Sequence, residues 1–146
     1  MQPMITTIEI RRPADQVYAY LTDPTRFAEW QNDVVRVEMD DRRAGTGARF
    51  TTVRRVGGTE RTMVQQISED DPPRHWASVG VAGPIRPAAA IDVTPIDGGS
   101  ACRVTFTLGF EGHGLGTALL PLVRRQVEKL APVSYRRAKE RLERDQ

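Results

Sequence analysis

The stretch "RPADQVYAYLTDPTRFAEW" (residues 12–30) contains two short helical segments separated by an aspartate–proline pair. Pro13 suits the first turn of a helix, where its missing N–H would have no partner in any case. Asp23 is a preferred N-cap and Pro24 a preferred first-turn residue, so the second segment carries its own start signal. The sequence therefore predicts two short helices that turn a corner which one straight helix could not.

Each of these helices has one apolar side. Val17 and Leu21 are four residues apart on the first helix, and Phe27 and Trp30 are three residues apart on the second. Such spacings place both members of a pair on one face. Asp23 could also serve as a catalytic acid, but its position before a proline explains it better as a cap.

Segments of two-residue periodicity lie on either side of this helical pair and predict seven strands. Glycine- and proline-rich turns separate the later ones, and consecutive hairpins of this kind build an antiparallel sheet with one covered face. The predicted strands are "MITTIEI", "VVRVEMD", "GARFTTVRRV", "TERTMVQQIS", "HWASVGV", "AAAIDVTP" and "ACRVTFTLGF". The predicted turns include Gly57-Gly58, "EDDPPR", "AGPIRP" and "IDGGS".

A long helix follows the glycine-rich segment "EGHGLG" and carries one apolar stripe. Pro121 fits its first turn, whereas Pro132 is interior and should kink the helix or split it near Leu130. Only this helix is large enough to cover the sheet. The prediction is one α+β domain, residues 1–146, in which a curved seven-stranded antiparallel sheet wraps around the C-terminal helix, with two short helices between strands 1 and 2.

Composition excludes several classes of protein. The net charge of the 146 residues is only +2, and the arginines near the C-terminus alternate with acidic residues, so no nucleic-acid site is expected. One cysteine and two histidines cannot form a disulfide or a structural zinc site. No apolar run is long enough for a membrane span, and no signal peptide is visible. We therefore expect a cytoplasmic protein without metal or cofactor.

Several motifs are better explained by structure than by catalysis. The segment "GHGLG" (residues 112–116) lacks the dinucleotide spacing and is not part of a βαβ unit. Cys102 has apolar neighbours at i+2 and i+4 and is expected in the core. His75 is the better acid–base candidate, but strand alternation places it opposite Trp76, so His75 faces solvent if Trp76 packs inward. No catalytic residue is assigned.

Charged residues on the predicted sheet leave one question open. The carboxylates of Asp40-Asp41 and of residues 69–71 are expected in turns at the rim, where they would not converge on a substrate. Alternation places Arg54 with Phe50 on one face and Arg49 on the other. It does not decide which arginine, if any, faces the interior.

The order of elements and several motifs resemble the helix-grip superfamily, also called START-like or Bet v 1-like (SRPBCC). Within it they resemble the bacterial polyketide cyclase/dehydrase and lipid-transport branch. The matching stretches are "IEIRRPADQVYAYLTDPTRFAEW", "GTGARF", "DDPPRHW", "VTPIDGGSACRVTFTLGF" and the closing helix. The resemblance implies a cavity between sheet and helix that holds an apolar or aromatic small molecule. The cavity residues it implies are Phe27, Trp30, Phe50, Trp76, Ile91, Phe106, Leu119, Val123, Val127 and Leu130.

Three functions are compatible with this resemblance. The first is a carrier of a hydrophobic ligand such as a lipid, quinone or polyketide, as a monomer or homodimer, with access through the loops "RVGGTE" and "VAGPIRP". The second is a polyketide cyclase or aromatase in which Tyr18, His75 or an inward arginine donates a proton. The third is a partner-binding module with a vestigial cavity. Two ionisable side chains in contact within the cavity would favour chemistry, whereas a wholly apolar lining would exclude it.

Overall fold

A computed structural model of the chain describes residues 2–40 and 45–144. The elements are β1 (Met4–Ile10), α1 (Ala14–Leu21), a 3-10 turn (Pro24–Arg26), α2 (Phe27–Trp30), β2 (Val34–Met39), β3 (Arg49–Val56), β4 (Thr59–Asp71), β5 (His75–Ala82), β6 (Ile85–Ile96), a 3-10 turn (Asp97–Gly99), β7 (Ala101–Gly112) and α3 (Gly116–Arg144). The predicted α+β helix-grip architecture is confirmed.

The seven strands form one antiparallel sheet in the order β1-β7-β6-β5-β4-β3-β2. Strands β2 to β7 are joined as successive hairpins, and β1 pairs with β7 from Met4 opposite Leu108 to Ile10 opposite Cys102. Because β1 and β2 lie at opposite edges of the sheet, the chain between them must cross its full width. The helical pair makes this crossing, which explains why the chain changes direction between α1 and α2.

The helical pair is built as its sequence predicts. Val17 and Leu21 are fully buried. Asp23 caps the second segment, since its Oδ1 accepts a hydrogen bond from the Thr25 backbone N–H at 3.0 Å. Phe27 and Trp30 are also buried, so the second segment contributes two large rings to the interior.

Two of the predicted turns contribute residues to the sheet, which makes β4 and β6 longer than predicted. The segment "EDDPPR" was expected to be a turn, but Glu69–Asp71 extends β4 and pairs with β5 after a register shift. Likewise, Ile85–Pro87 belongs to β6 rather than to a loop. Pro87 is tolerated there because it lies beyond the last β5–β6 pair, Val79 with Ala88.

Helix α3 runs without interruption from Gly116 to Arg144, so Pro132 does not split it near Leu130, one of the two outcomes predicted. Pro132 lies on the exposed side, and the residues beyond it, including Tyr135 and Ala138, are buried against the core and hold the helix together. Pro121 lies one turn further into the helix than expected, because α3 begins at Gly116.

The interior formed by the described residues contains two apolar clusters. The large one includes the helical pair, most inward residues of the sheet and the C-terminal half of α3. Cys102 belongs to it and is fully buried, and burial raises the pKa of its thiol to about 11. The small cluster consists of Val56, Met63, Ile85 and Val123. It is separate from the large one, so the N-terminal half of α3 has its own, weaker packing.

Candidate functional site

A cavity of about 100 Å³ lies between α3 and the concave face of the sheet. Its walls come from α2, from strands β3 to β7 and from the middle of α3. Residues on its wall include Phe27, Trp30, Gln31, Asp33, Arg54, Met63, Gln65, Trp76, Ser78, Ile91, Phe106, Phe110, Val123, Gln126, Val127, Leu130, Ser134 and Tyr135.

Aromatic rings form one side of the cavity. Phe106 of β7 and Tyr135 of α3 stack with their ring centroids 3.9 Å apart and their planes 8° from parallel. Trp30 tilts against both rings, with centroid distances of 6.0 and 6.5 Å. Phe27 meets Trp76 edge to face at 6.1 Å. Contacts of this kind favour particular ring orientations, so the rings of this wall stabilise one another.

An ion pair also lines the cavity. Nη1 of Arg54 donates to both carboxylate oxygens of Asp33, at 3.2 and 3.3 Å, and each side chain is 16% exposed. Asp33 directly precedes β2, and Arg54 stands opposite Val34 across the β2–β3 ladder. Arg54 is therefore the arginine on the cavity wall, and its charge is balanced by a neighbouring carboxylate.

Two further polar groups on the wall lack partners. Burial raises the pKa of Tyr135 to about 12, with a smaller opposing effect of Arg54 and a smaller raising effect of Asp33. Within the described part of the chain, no residue hydrogen-bonds the Tyr135 hydroxyl. The indole N–H of Trp30 is buried, and among residues 2–40 and 45–144 it finds no acceptor. Unsatisfied buried donors such as the Trp30 N–H are uncommon in folded proteins. Both Trp30 and Tyr135 belong to the cavity wall.

A row of buried polar side chains crosses the sheet beside the cavity. Thr52 Oγ1 donates to Gln65 Oε1 at 3.1 Å, and Gln65 Nε2 donates to Ser78 Oγ at 3.5 Å. All three side chains are buried, and Gln65 and Ser78 line the cavity. This row holds Gln65 in place at the base of the apolar wall.

Most of the residues expected at the cavity lie on its wall. These are Phe27, Trp30, Trp76, Ile91, Phe106, Val123, Val127 and Leu130. Phe50 is fully buried behind Phe27, whose ring centroid is 5.8 Å from its own. Leu119 packs against the small apolar cluster instead.

The other acid–base candidates lie away from this cavity. Trp76 packs inward, so His75 is on the outer face, 2.6 Å from Asp92 and in contact with Glu69. Tyr18 donates to Asp70 and to the His75 carbonyl.

The rim carboxylates differ from prediction in one respect. Residues 69–71 were expected in a turn but belong to β4. Asp40 accepts a hydrogen bond from Thr51 at 2.9 Å, and Asp41 lies outside the described residues.

Both hairpin turns proposed as gates are attached to α3. The Gly57 N–H donates to Gln126 Oε1 at 2.9 Å, and Gln126 Nε2 donates to the Arg55 carbonyl. The turn between β5 and β6 touches the start of α3 so closely that a Cβ on Gly116 would lie 1.8 Å from the Pro84 carbonyl oxygen. Only glycine allows that approach, so the two turns and the N-terminal half of α3 form one connected unit.

The described residues contain no group of three or more histidine, cysteine or acidic side chains suited to a metal ion. None of their helices combines the length and apolarity that crossing a membrane requires.

Comparison with known proteins shows the family to which the chain belongs. Residues 1–145 match the family described as polyketide cyclase / dehydrase and lipid transport, and the chain belongs to that family. A search of curated proteins finds no match.

Solved structures share the fold. The Zhui aromatase/cyclase from Streptomyces sp. R1128 superposes with a TM-score of 0.83 at 16% identity, covering 98% of this chain and 94% of its own. A START superfamily protein from Mycobacterium smegmatis superposes with a TM-score of 0.76 at 12% sequence identity, and the alignment covers 99% of both chains. A protein from Thermus thermophilus superposes with a TM-score of 0.78 at 20% sequence identity, and the alignment covers 96% of both chains. At such identities the likeness concerns the fold.

Proposed function

We propose that this protein binds a small aromatic molecule bearing a carbonyl or phenolic oxygen, with its ring in the cavity. The observation that carries this proposal is the combination of aromatic walls with unpaired donors on Trp30 and Tyr135. A small number of polar groups in a mostly apolar pocket is the usual composition of a ligand site. An oxygen acceptor on the ligand would satisfy the donors, and Arg54 is available to the same oxygen.

The size of the cavity limits what can bind. Ligand pockets usually measure about 300–1,000 Å³, and a dry cavity of about 150 Å³ admits benzene. At about 100 Å³, this cavity takes one ring only if its walls give way slightly. The N-terminal half of α3 can supply that movement together with the two turns attached to it, because its buried apolar contacts are with the small cluster around Val123.

A vestigial cavity remains the competing hypothesis, and p-cresol distinguishes the two by isothermal titration calorimetry. We expect p-cresol to bind the wild type, and Val127→Phe to abolish binding by filling the cavity. Val133→Phe is the matched control, because Val133 lies on the same helix but is 44% exposed. Absence of p-cresol binding to the wild type, or unchanged binding in Val127→Phe, would contradict the proposal.

Catalysis is a second candidate, favoured by the contact of two ionisable groups, Asp33 and Arg54, on the cavity wall. With a β-diketone, the Asp33 carboxylate would remove a proton from the carbon between the carbonyls. Arg54 and the Tyr135 hydroxyl would stabilise the enolate oxygen that forms. This is the chemistry with which a cyclase begins a ring closure.

Deuterium exchange into benzoylacetone, followed by proton NMR, tests the second candidate. We expect wild-type protein to accelerate the exchange, Asp33→Asn and Arg54→Gln to remove the acceleration, and Arg55→Gln to retain it. If p-cresol binds but the exchange rate stays at the protein-free value, the protein is a binder without this activity.

A further inference from the structure

Arg61 of β4 precedes the wall residue Met63 by two positions and lies on the same face of the sheet, although Arg61 is not itself part of the wall. Side chains of a strand alternate between faces, so Arg61 shares its face with Met63 and Gln65, both of which line the cavity. Across the β3–β4 ladder, Arg61 stands directly opposite Arg54. Arg61 therefore extends the polar part of the site by one residue pair toward the β3–β4 turn.

This arrangement places the positive charges of Arg54 and Arg61 beside each other, with the single negative charge of Asp33. Like charges directly opposite in a sheet are destabilising unless they are compensated. Arg54 is compensated by Asp33 at 3.2 Å. Among the residues that the structure describes, no acidic side chain pairs with Arg61, and its Nε is buried without an acceptor. The neighbouring Glu60 is exposed and alternates to the other face. One guanidinium thus remains unneutralised on this face of the sheet.

We propose that Arg61 binds an anionic oxygen group, a carboxylate or phosphate, at the outer end of the ligand whose ring occupies the cavity. The inference rests on the proposed function and narrows it, because it makes the ligand an aromatic acid. A guanidinium presents paired N–H donors that match a carboxylate or phosphate, and such charge-assisted bonds are stronger than neutral ones. Residues two apart on a strand are separated by about 6.7 Å. The ring and the acid should therefore be joined by a short tether.

Three probes that differ only in the terminal group test this inference by calorimetry. Hydrocinnamate carries a carboxylate on a short tether from its ring, hydrocinnamamide replaces it with a neutral amide, and phenethylphosphonate replaces it with a phosphonate. We expect the wild type to bind the carboxylate about tenfold more tightly than the amide, the gain of one charged hydrogen-bonded contact. Tighter binding of the phosphonate than of the carboxylate would assign the site to phosphate-bearing ligands.

Substitutions show whether Arg61 causes the preference for the acid. Arg61→Gln should lose the preference for the acid, about tenfold, while its affinity for the amide is unchanged, which also shows that it is folded. Arg61→Lys should retain part of the preference, because it keeps the charge but not the paired donors. Arg55→Gln, on the adjacent strand and exposed, is the matched control and should bind all three probes as the wild type does.

The possible failures are distinguishable. If the amide binds and the carboxylate binds no better, or if Arg61→Gln weakens both equally, the inference is overturned and the proposed function stands. If none of the three probes binds the wild type although p-cresol does, the inference is overturned and the proposed function stands. If p-cresol does not bind either, both are overturned.

Discussion

The carboxylate of Asp33 and the guanidinium of Arg54 face each other at 3.2 Å on the wall of an otherwise largely apolar cavity. Both side chains are mostly buried, so each neutralises a charge that would be costly alone. The pair joins the start of β2 to the end of β3 and places ionisable groups beside the aromatic wall. Structure and proposed chemistry therefore depend on the same contact.

Breaking this ion pair should destabilise the fold. Arg54→Gln leaves the Asp33 carboxylate buried without its partner, and we expect a loss of about 3 kcal/mol in the free energy of unfolding. Arg55→Gln, at an exposed position, should change it by less than about 0.5 kcal/mol. Chemical denaturation measures both. The double variant Asp33→Asn/Arg54→Gln should recover part of the loss; equal stability of the two single arginine variants would contradict the role of the pair.

His75 should make stability depend on pH. Its hydrogen bond to Asp92 raises the pKa of the imidazole above the ordinary 6.5, burial opposes this, and contact with Glu69 adds to the increase. Because the folded pKa is the higher one, the stabilisation is complete below pH 6.5 and is lost as the pH rises through the folded pKa.

Unfolding of the wild type and of His75→Gln across this pH range measures the effect. The difference in unfolding free energy should be largest in acid and disappear in alkali. Asp92→Asn should remove most of the same pH dependence. If the difference in unfolding free energy between the wild type and His75→Gln grows with pH, the predicted direction of the pH dependence is wrong.

Gln126 should control access to the cavity, if the β3–β4 turn is a gate. Gln126→Ala removes the acceptor of the Gly57 N–H and the donor to the Arg55 carbonyl. We expect faster hydrogen exchange at the Gly57 amide and faster association of p-cresol in stopped-flow measurements. Glu128→Ala, on the exposed side of the same helix, is the control. Faster amide exchange with an unchanged association rate would show that the ligand enters elsewhere.

Pro132 should reduce the stability of α3 even though it does not split the helix. A proline inside a helix removes one backbone hydrogen bond and costs about 3 kcal/mol relative to alanine. Since Pro132 is exposed, Pro132→Ala should increase the free energy of unfolding by up to about 3 kcal/mol. An unchanged or lower melting temperature would indicate that the ring makes a compensating contact.

Residue patterns were sufficient to predict the sheet, the helical pair and most of the apolar wall, because burial and periodicity are local properties. The ion pair was not predictable, since alternation alone did not select the inward face of β3. The signal for Tyr135 was present: it lies four residues after Ala131 and three before Ala138 in the apolar stripe. Cavity volume depends on the packing of whole elements, which no local pattern contains.

The central claim, that a ligand occupies this cavity, is tested most directly by the indole N–H signals in a heteronuclear NMR spectrum. The chain has two tryptophans, Trp30 and Trp76, and both line the cavity. Titration with p-cresol should shift both signals, with the larger change at Trp30, whose N–H lacks an acceptor among the described residues. Val127→Phe should abolish both shifts and Val133→Phe should preserve them. Indole signals that stay unmoved at saturating p-cresol would contradict the account.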